Sequence, residues 1–260
     1  MVKRRAAGAT DRGKNPDRPG NEDTFVVDEG FGLYVVCDGM GGHQAGEVAS
    51  GMALAVFAHF VREGREACPD GMALAKSAVH AANMSVRAHA RANRECDGMG
   101  TTIVALYCYG DQVVIAHVGD SRCYRLRGGL LECLTKDHSY VEEYGGDDPV
   151  ARDLIRKSPY GHGITRSIGS SEASPDVRAE AVLVGDMFLL CSDGLNGMVE
   201  DDKIAEILAL NPNPQDAVQA LIQAALDAGG DDNVTVVVVT VEDAEGSVGG
   251  SPDLEVLVND

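Results

Sequence analysis

The sequence lacks any run of about 18 apolar residues, the length that a membrane-spanning helix requires. Three basic residues near the start, Lys3, Arg4 and Arg5, are not followed by an apolar stretch, so this segment does not resemble a secretory signal. The hydrophobic content of 44% is ordinary for a globular protein, and 260 residues suffice for a sizeable core. These features predict a soluble, cytoplasmic protein that has no membrane partner.

The sequence is also poor in positive charge and in paired cysteines. It has 22 Lys and Arg against 41 Asp and Glu, and this net charge of −19 argues against nucleic-acid binding, which needs clustered cations. The seven cysteines form no C-x-x-C pair and most lie in apolar runs, so we expect buried reduced thiols. The glycine-rich "GMGGHQAGE" lacks the patterns of P-loop and Rossmann nucleotide-binding proteins. The abundant acids therefore need another explanation.

Short apolar runs rich in β-branched residues predict strands at 24–27, 33–37, 103–109, 112–118, 123–126, 181–184, 187–191 and 234–241. Apolar residues with helical spacing predict one pair of helices around 48–56 and 75–86, and another pair near 201–210 and 213–228. Most strands follow one another through short turns, which favours antiparallel pairing. The order of elements predicts a layered α+β domain.

Two segments interrupt or end this pattern. Residues 137–169 lose the periodicity over a length that predicts a surface subdomain or lid, called the flap below. From 244 the composition becomes that of a flexible linker, which predicts a tail over 244–260 that docks as an edge strand or stays disordered. The sequence thus predicts one domain over 1–243.

Several apolar strands end or begin at an aspartate. The stretches "VVCDGMGGH", "VVIAHVGDSR" and "MFLLCSDGL" place Asp38, Asp120 and Asp193 at strand ends, and Asp231 and Asp232 precede "NVTVVVV". A single Asp in such a place is commonly a turn former or helix cap. Several carboxylates at one sheet edge, however, repel one another unless a cation lies between them, and oxygen ligands suit Mg²⁺ or Mn²⁺. A divalent metal centre suits phosphate-ester hydrolysis best.

Neighbouring residues fit the same kind of site. Gly39, directly after Asp38, allows a tight turn in which a backbone carbonyl faces a metal. Arg18 in "NPDRPGNEDTF" has the planar donor fork that binds phosphate oxygens, although an isolated loop arginine is more often simply solvated. Glu22 and Asp23 follow it closely and are placed to hold metal-bound waters.

A series of segments, in order, resembles the motifs of bacterial-type metal-dependent protein Ser/Thr phosphatases of the PPM or PP2C family: "TDRGKNPDRPGNEDTF", "VVCDGMGGHQAGE", "GMGTTIVAL", "HVGDSRCYRL", "LTKDHSYVEE", "GITRSIG", "LLCSDGL" and "DDNVTVVVV". The resemblance implies a central antiparallel β-sandwich flanked on both sides by helix pairs, in α-β-β-α layers. It implies hydrolysis of phosphoserine and phosphothreonine esters on proteins by a metal-activated water. The partners implied are phosphoproteins made by a bacterial Ser/Thr kinase.

The resemblance also implies which residues hold the metal. Asp38 matches the residue that bridges two core Mn²⁺ or Mg²⁺ ions, and Gly39 matches the one that offers a backbone carbonyl. Asp193 and Asp232 match the remaining carboxylates of that centre. Asp120 resembles the ligand of a third, weaker site, which Asp193 would share.

Other matches concern the phosphate and the proton donor. Arg18 corresponds to the phosphate-binding arginine, although the loop before it is longer than the family's G-x-x-R spacing. Glu22 and Asp23 resemble acids that reach metal through water. The flap reads "SPYGH" where bacterial members often have His-Pro-x-Arg-Asn, so the usual histidine and arginine are both missing. His162, His43 or a water would then protonate the leaving group.

Two further functions stay open at this point. One is a catalytically weak regulator that binds phosphoproteins, although a protein that binds no metal has no physical need for mutually repelling acids. The other is a metal phosphohydrolase of small molecules. For the protein phosphatase function, acidic flap residues predict a preference for basic or neutral phosphosites: Glu142, Glu143, Asp147 and Asp148.

Overall fold

The computed structural model describes residues 2–18, 20–41, 44–109, 111–161 and 163–243. The predicted tail, 244–260, lies outside these ranges. Among the helices within them, none has the length and apolar character that a membrane span requires.

Two antiparallel sheets form the centre of the fold. The first has the order β1-β11-β10-β7-β8, with β1 (Val2–Asp11), β7 (Arg122–Arg127), β8 (Leu130–Cys133), β10 (Met187–Cys191) and β11 (Val234–Asp243). The second has the order β2-β3-β5-β6-β9, with β2 (Asp23–Asp28), β3 (Leu33–Met40), β5 (Ile103–Tyr109), β6 (Gln112–Val118) and β9 (Asp176–Ala181), and the short β4 (Gly100–Thr101) also pairs with β3.

Helices cover the outer face of each sheet. Helices α1 (Gln44–Gly64) and α2 (Gly71–Ala92) pack on the second sheet, and a 3₁₀ turn at Arg94–Cys96 follows them. Helices α5 (Asp193–Asn196), α6 (Asp201–Leu210) and α7 (Pro214–Asp227) pack on the first sheet. The predicted α-β-β-α layers are therefore confirmed.

Alternation along the strands explains the three layers of core. In β3, Leu33, Val35 and Cys37 face the helix pair, whereas Tyr34 and Val36 face the opposite sheet. Side chains of a strand point alternately to its two faces, so a strand that is covered on both faces is apolar throughout. This is why continuous valine-rich runs mark the central strands β3 and β11.

The predicted strand at 181–184 is wrong in its position. The strand there is β9, which ends at Ala181 and pairs with β6, whereas Leu183 and Val184 are more than half exposed. Strands β1 and β8 were not predicted at all. Both are edge strands of the first sheet and are polar or exposed for much of their length, so they lack an apolar run.

The segment predicted as the flap contains two short helices, α3 (Tyr140–Tyr144) and α4 (Pro149–Arg156). Its ends come together, because the Thr165 N–H donates to the His138 carbonyl at 2.8 Å and Ser139 bridges to Ile164. The His138 N–H in turn donates to the Gly119 carbonyl at 2.9 Å. The base of this segment is thus attached to the loop that follows β6.

Candidate metal centre

Strand ends from both sheets meet at a cavity of about 490 Å³. Its walls include most of the site residues predicted from the sequence: Arg18, Glu22, Asp38, Gly39, Asp120, Asp193 and Asp232. They come from the loop before β2, the end of β3, the loop after β6, the start of α5 and the loop before β11. We call this cavity the acidic pocket.

Asp38 lies near the end of β3 and is held by the chain around β4. Its N–H donates to the Thr102 hydroxyl at 3.0 Å, and its carbonyl accepts from the Thr102 N–H and the Thr101 hydroxyl, both at 2.8 Å. The Thr102 hydroxyl also pairs with that of Ser121 at 2.7 Å. These bonds fix the backbone from which the Asp38 carboxylate projects.

Gly39 is required by close packing. A β-carbon at this position would overlap the Gly46 carbonyl of α1 and the Glu22 carbonyl of the neighbouring segment. The Gly39 N–H donates to that same Glu22 carbonyl at 3.2 Å. A glycine therefore lets three chain segments approach one another beside the acidic pocket.

Asp23 is paired with Asp38 across β2 and β3 and is buried behind the pocket rather than lining it. The Ser192 hydroxyl donates to its Oδ2 at 2.7 Å, whereas its Oδ1 is buried without a hydrogen-bond partner among the described residues. Burial, reinforced by the nearby Asp193 and Asp232, raises the pKa of Asp23 to about 7. An unpartnered buried carboxylate oxygen costs free energy unless another group compensates it.

Three carboxylates that line the acidic pocket also have raised pKa values. Burial, followed by repulsion from Asp23 and Asp193, raises the pKa of Asp38 well above its ordinary value. Burial, followed by repulsion from Asp193, raises the pKa of Asp120 to about 7 and also raises the pKa of Asp232. The Oδ1 atom of Asp193 is buried without a partner within the described ranges. A set of oxygen ligands that resists ionisation fits hard divalent cations such as Mg²⁺ and Mn²⁺.

Arg18 compensates part of this charge. Its guanidinium forms an ion pair with Asp232 at the mouth of the acidic pocket, and about half of the Arg18 side chain is exposed. An arginine that is half exposed beside a divalent-ion site is available to bind an incoming phosphoryl group.

Some residues that organise the pocket were missed by the sequence reasoning. The Asn233 amide donates to the carbonyls of Arg12 and Gly20, at 2.9 and 3.0 Å, and its Oδ1 accepts from the Glu22 N–H at 2.9 Å. Thr102 has a comparable role at Asp38. Both residues lie inside motifs that the resemblance covers, "DDNVTVVVV" and "GMGTTIVAL". Only the acidic residues of the site could be recognised from the sequence as candidate metal ligands, because Asn233 and Thr102 have neutral side chains.

The two candidate proton donors, His43 and His162, lie outside the described residues. Their assignment stays a prediction. From the flap segment, Ile164 lines the acidic pocket.

A second group of potential ligands, His117, His138 and Asp176, lies behind the Asp120 loop. Its atoms are already engaged: the Gly119 N–H donates to His138 Nδ1 at 3.1 Å, and His117 Nε2 pairs with the Lys136 carbonyl at 2.9 Å. His138 Nε2 lies 3.3 Å from Asp176.

The Arg166 guanidinium also lies 3.1 Å from His138 Nε2 and repels a cation there. Burial lowers the pKa of His117 to about 4 and lowers that of His138, so both rings are neutral at pH 7. We assign this group a structural role, in which it holds the Asp120 loop against the base of the flap.

Comparison with known proteins agrees with this geometry. The sequence profile described as protein phosphatase 2C matches residues 17–228. The chain belongs to the protein phosphatase 2C family. It is 37% identical to the serine/threonine protein phosphatase PstP of Mycobacterium tuberculosis over 266 aligned positions, which cover 98% of this chain and 50% of PstP. The chain thus spans about half the length of this curated relative.

Shorter relatives match almost end to end. The serine/threonine phosphatase stp of Listeria monocytogenes is 34% identical over 236 positions, covering 88% of this chain and 93% of that protein. Among solved structures, the PstP phosphatase of M. tuberculosis superposes with a TM-score of 0.82 at 36% identity, covering 93% of this chain and all of that one. The catalytic domain of PstP in complex with two manganese ions has a TM-score of 0.80 at 37% identity, covering 94% of this chain and 100% of that one.

Proposed function

We propose that this protein is a metal-dependent phosphatase that hydrolyses phosphoserine and phosphothreonine esters on proteins. The observation that carries the proposal is the acidic pocket, where carboxylates from separate strand ends resist ionisation beside an arginine. Family membership and the two manganese ions bound by PstP at 37% identity support it.

In this proposal Asp38, the Gly39 carbonyl, Asp193 and Asp232 hold two Mn²⁺ or Mg²⁺ ions, and Asp120 with Asp193 holds a third, weaker one. When bound, such ions lower the pKa of a water and offset the charge that develops on the phosphoryl group. The unpartnered Oδ1 of Asp193 fits this role.

The chain's own residues would then orient the substrate. Arg18 is placed to bind phosphoryl oxygens, and cations between the carboxylates would weaken its hold on Asp232 because they neutralise the same charge. Thr102 keeps Asp38 in place through the backbone. Glu22 and Asp23 are proposed to act through water, Glu22 from the pocket wall and Asp23 from behind it.

We further propose that 1–243 is the catalytic domain, with 137–169 as its flap. The joined ends of the flap segment and the contribution of Ile164 to the acidic pocket support this division. The proposed substrates are phosphoproteins made by a bacterial Ser/Thr kinase in the cytoplasm. All seven cysteines are free thiols, which suits a reducing compartment.

The test is phosphate release from a phosphothreonine peptide by metal-stripped protein, before and after addition of Mn²⁺. Activity should require Mn²⁺ and should be lost in Asp38→Asn and Asp232→Asn variants. Asp231→Asn is the matched control, because Asp231 is exposed and does not line the acidic pocket. A folded protein that binds Mn²⁺ but releases no phosphate would refute the proposal and favour a phosphoprotein-binding regulator.

A further inference from the structure

Two cavities beside α2 lie next to the acidic pocket. A cavity of about 460 Å³ shares Met40 with the acidic pocket and is also lined by Arg87, Arg91 and the loop at 167–171. A third cavity, of about 440 Å³, shares Arg87 with the second and extends to His80 and Lys76. The second and third cavities, together called the α2 groove below, are therefore neighbours of each other and of the acidic pocket.

The α2 groove is basic in a protein with a formal net charge of −19. Lys76, His80, Arg87 and Arg91 follow one another on one edge of α2, since residues four apart share a helix face and eleven residues make about three turns. Lys76, His80 and Arg91 are exposed and Arg87 is partly exposed.

The lysine and the two arginines of the groove lack ion-pair partners among the described residues. Within the described ranges, Lys76, Arg87 and Arg91 form no ion pair, whereas Arg122, Arg125 and other arginines of the sheets do. The carboxylate among the residues that line the two groove cavities is Asp97. Serine hydroxyls from the facing loop add neutral hydrogen-bonding groups. The α2 groove thus offers uncompensated positive charge next to the proposed catalytic pocket.

The four acidic flap residues do not line the α2 groove. Glu142 is paired with Arg152, and Glu143 accepts a hydrogen bond from the Thr165 hydroxyl at 2.7 Å. Asp148 caps α4, accepting from the Val150 N–H at 2.9 Å. Hydrogen bonds from neutral donors leave these carboxylates charged, so the preference for basic phosphosites predicted from the flap composition stays a prediction, and it concerns the flap rather than the α2 groove.

We propose that the α2 groove binds an acidic segment of the substrate protein that flanks the phosphorylated residue. This proposal rests on the proposed phosphatase function and adds a substrate class to it. From Lys76 to Arg91, α2 extends for about 22 Å, which an extended peptide covers with about six or seven residues. Asp and Glu side chains on such a segment match the unpaired cations, and the phosphoryl group would occupy the acidic pocket.

The experiment compares kcat/KM of the full chain with Mn²⁺ on matched phosphothreonine peptides. One peptide carries a run of glutamates separated from the phosphothreonine by a short neutral spacer, and its partner carries glutamines instead. Each peptide is made in two orientations, with the run either before or after the phosphothreonine. For one of the two orientations, we expect the glutamate peptide to be preferred roughly 3- to 10-fold at low salt, as a few exposed ion pairs allow. The preference should fall as ionic strength rises.

Variants assign the effect to the groove. Arg87→Gln combined with Arg91→Gln should remove the preference while leaving hydrolysis of p-nitrophenyl phosphate unchanged. Arg94→Gln combined with Lys203→Gln is the control, because it removes the same charge at exposed residues outside the groove lining. Activity on p-nitrophenyl phosphate tests the phosphatase function separately from the groove.

Either of two results would overturn the proposal. One is equal kcat/KM on the glutamate and glutamine peptides in both orientations. The other is a preference that both double variants reduce equally, since that would reflect net charge rather than the groove. If a single-stranded DNA oligonucleotide inhibits through Arg87 and Arg91 while the glutamate peptide has no advantage, the groove binds nucleic acid instead.

Discussion

Lowering the pH should weaken the stabilisation that Mn²⁺ gives to this protein, because protons and metal ions compete for the same buried carboxylates. Burial raises the pKa of Asp23 and Asp120 from 3.8 to about 7. In metal-free protein these groups therefore hold protons between about pH 4 and pH 7 that the unfolded chain has released. Their contribution to the free energy of unfolding accordingly falls as the pH rises through that window.

The size of the effect follows from the pKa. A carboxyl with a pKa of about 7 is about 1% ionised at pH 5 and about 75% ionised at pH 7.5. If one such group must be ionised for binding, apparent Mn²⁺ affinity is roughly 80-fold lower at the lower pH, or about 2.5 kcal/mol. At Mn²⁺ concentrations that saturate the site, this difference in binding free energy corresponds to a difference of about 5–10 °C in the metal-induced rise of Tm.

The comparison must use the metal-induced difference rather than the Tm of metal-free protein alone. Burial lowers the pKa of His117 to about 4 and also lowers that of His138. These rings bind protons in the unfolded chain before they do so in the fold, so they destabilise the protein as the pH falls below about 6.5. Their effect opposes that of the carboxylates, and it cancels when protein with and without Mn²⁺ is compared at the same pH.

The assay is thermal unfolding of metal-stripped protein and of Mn²⁺-loaded protein at about pH 5 and about pH 7.5, supported by calorimetric titration with Mn²⁺. Asp23→Asn should reduce the pH dependence, because it removes one of the protonating groups. Asp186→Asn is the control, since Asp186 is equally buried but pairs with Arg127 outside the acidic pocket. An equal metal-induced rise in Tm at both pH values would refute the reasoning.

Further predictions concern single residues around the pocket. Gly39→Ala should unfold the protein at a Tm lower by several degrees, whereas Gly51→Ala on α1, where a β-carbon meets no atom, should stabilise it by about 0.5–1 kcal/mol. Arg18→Lys, which keeps the charge but loses the fork, should lower kcat/KM on a phosphopeptide by roughly 10- to 100-fold with Tm unchanged. His138→Phe should cost about 1–3 kcal/mol in chemical denaturation because it leaves the buried Gly119 N–H without its acceptor, and an unchanged midpoint would contradict that role.

The parts of the fold that the sequence predicted are those where burial leaves a pattern. Strands β3 and β11 are covered on both faces, so their apolar runs predicted them, and the layered fold is confirmed. Strand β1 reads "VKRRAAGATD" and has no such run. Its pairing with β11 along its whole length, from Val2 opposite Asp243 to Asp11 opposite Val234, supplies the order that local propensity does not.

The candidate site divides in the same way. Aspartates at strand ends are visible in the sequence, and Asp38, Asp120, Asp193 and Asp232 do border one cavity. Their individual roles stay predictions. Asn233 and Thr102 carry neutral side chains whose importance depends on which carbonyls lie beside them, so only the assembled fold reveals them. The α2 groove likewise depends on the loop at 167–171 packing near α2.

The two charged surfaces have opposite signs and therefore separate two tasks. The acidic pocket repels a phosphoryl dianion until cations occupy it, because its carboxylates lie in a partly buried setting where repulsion is weakly screened. The α2 groove attracts acidic segments whether or not metal is present, since Arg87 and Arg91 carry permanent charge. Helix α2 can serve both the fold and the groove because its inner face, including Leu74, Val79 and Val86, is buried against the sheet. Metal would thus control turnover, while the groove would control which substrates are held near the pocket.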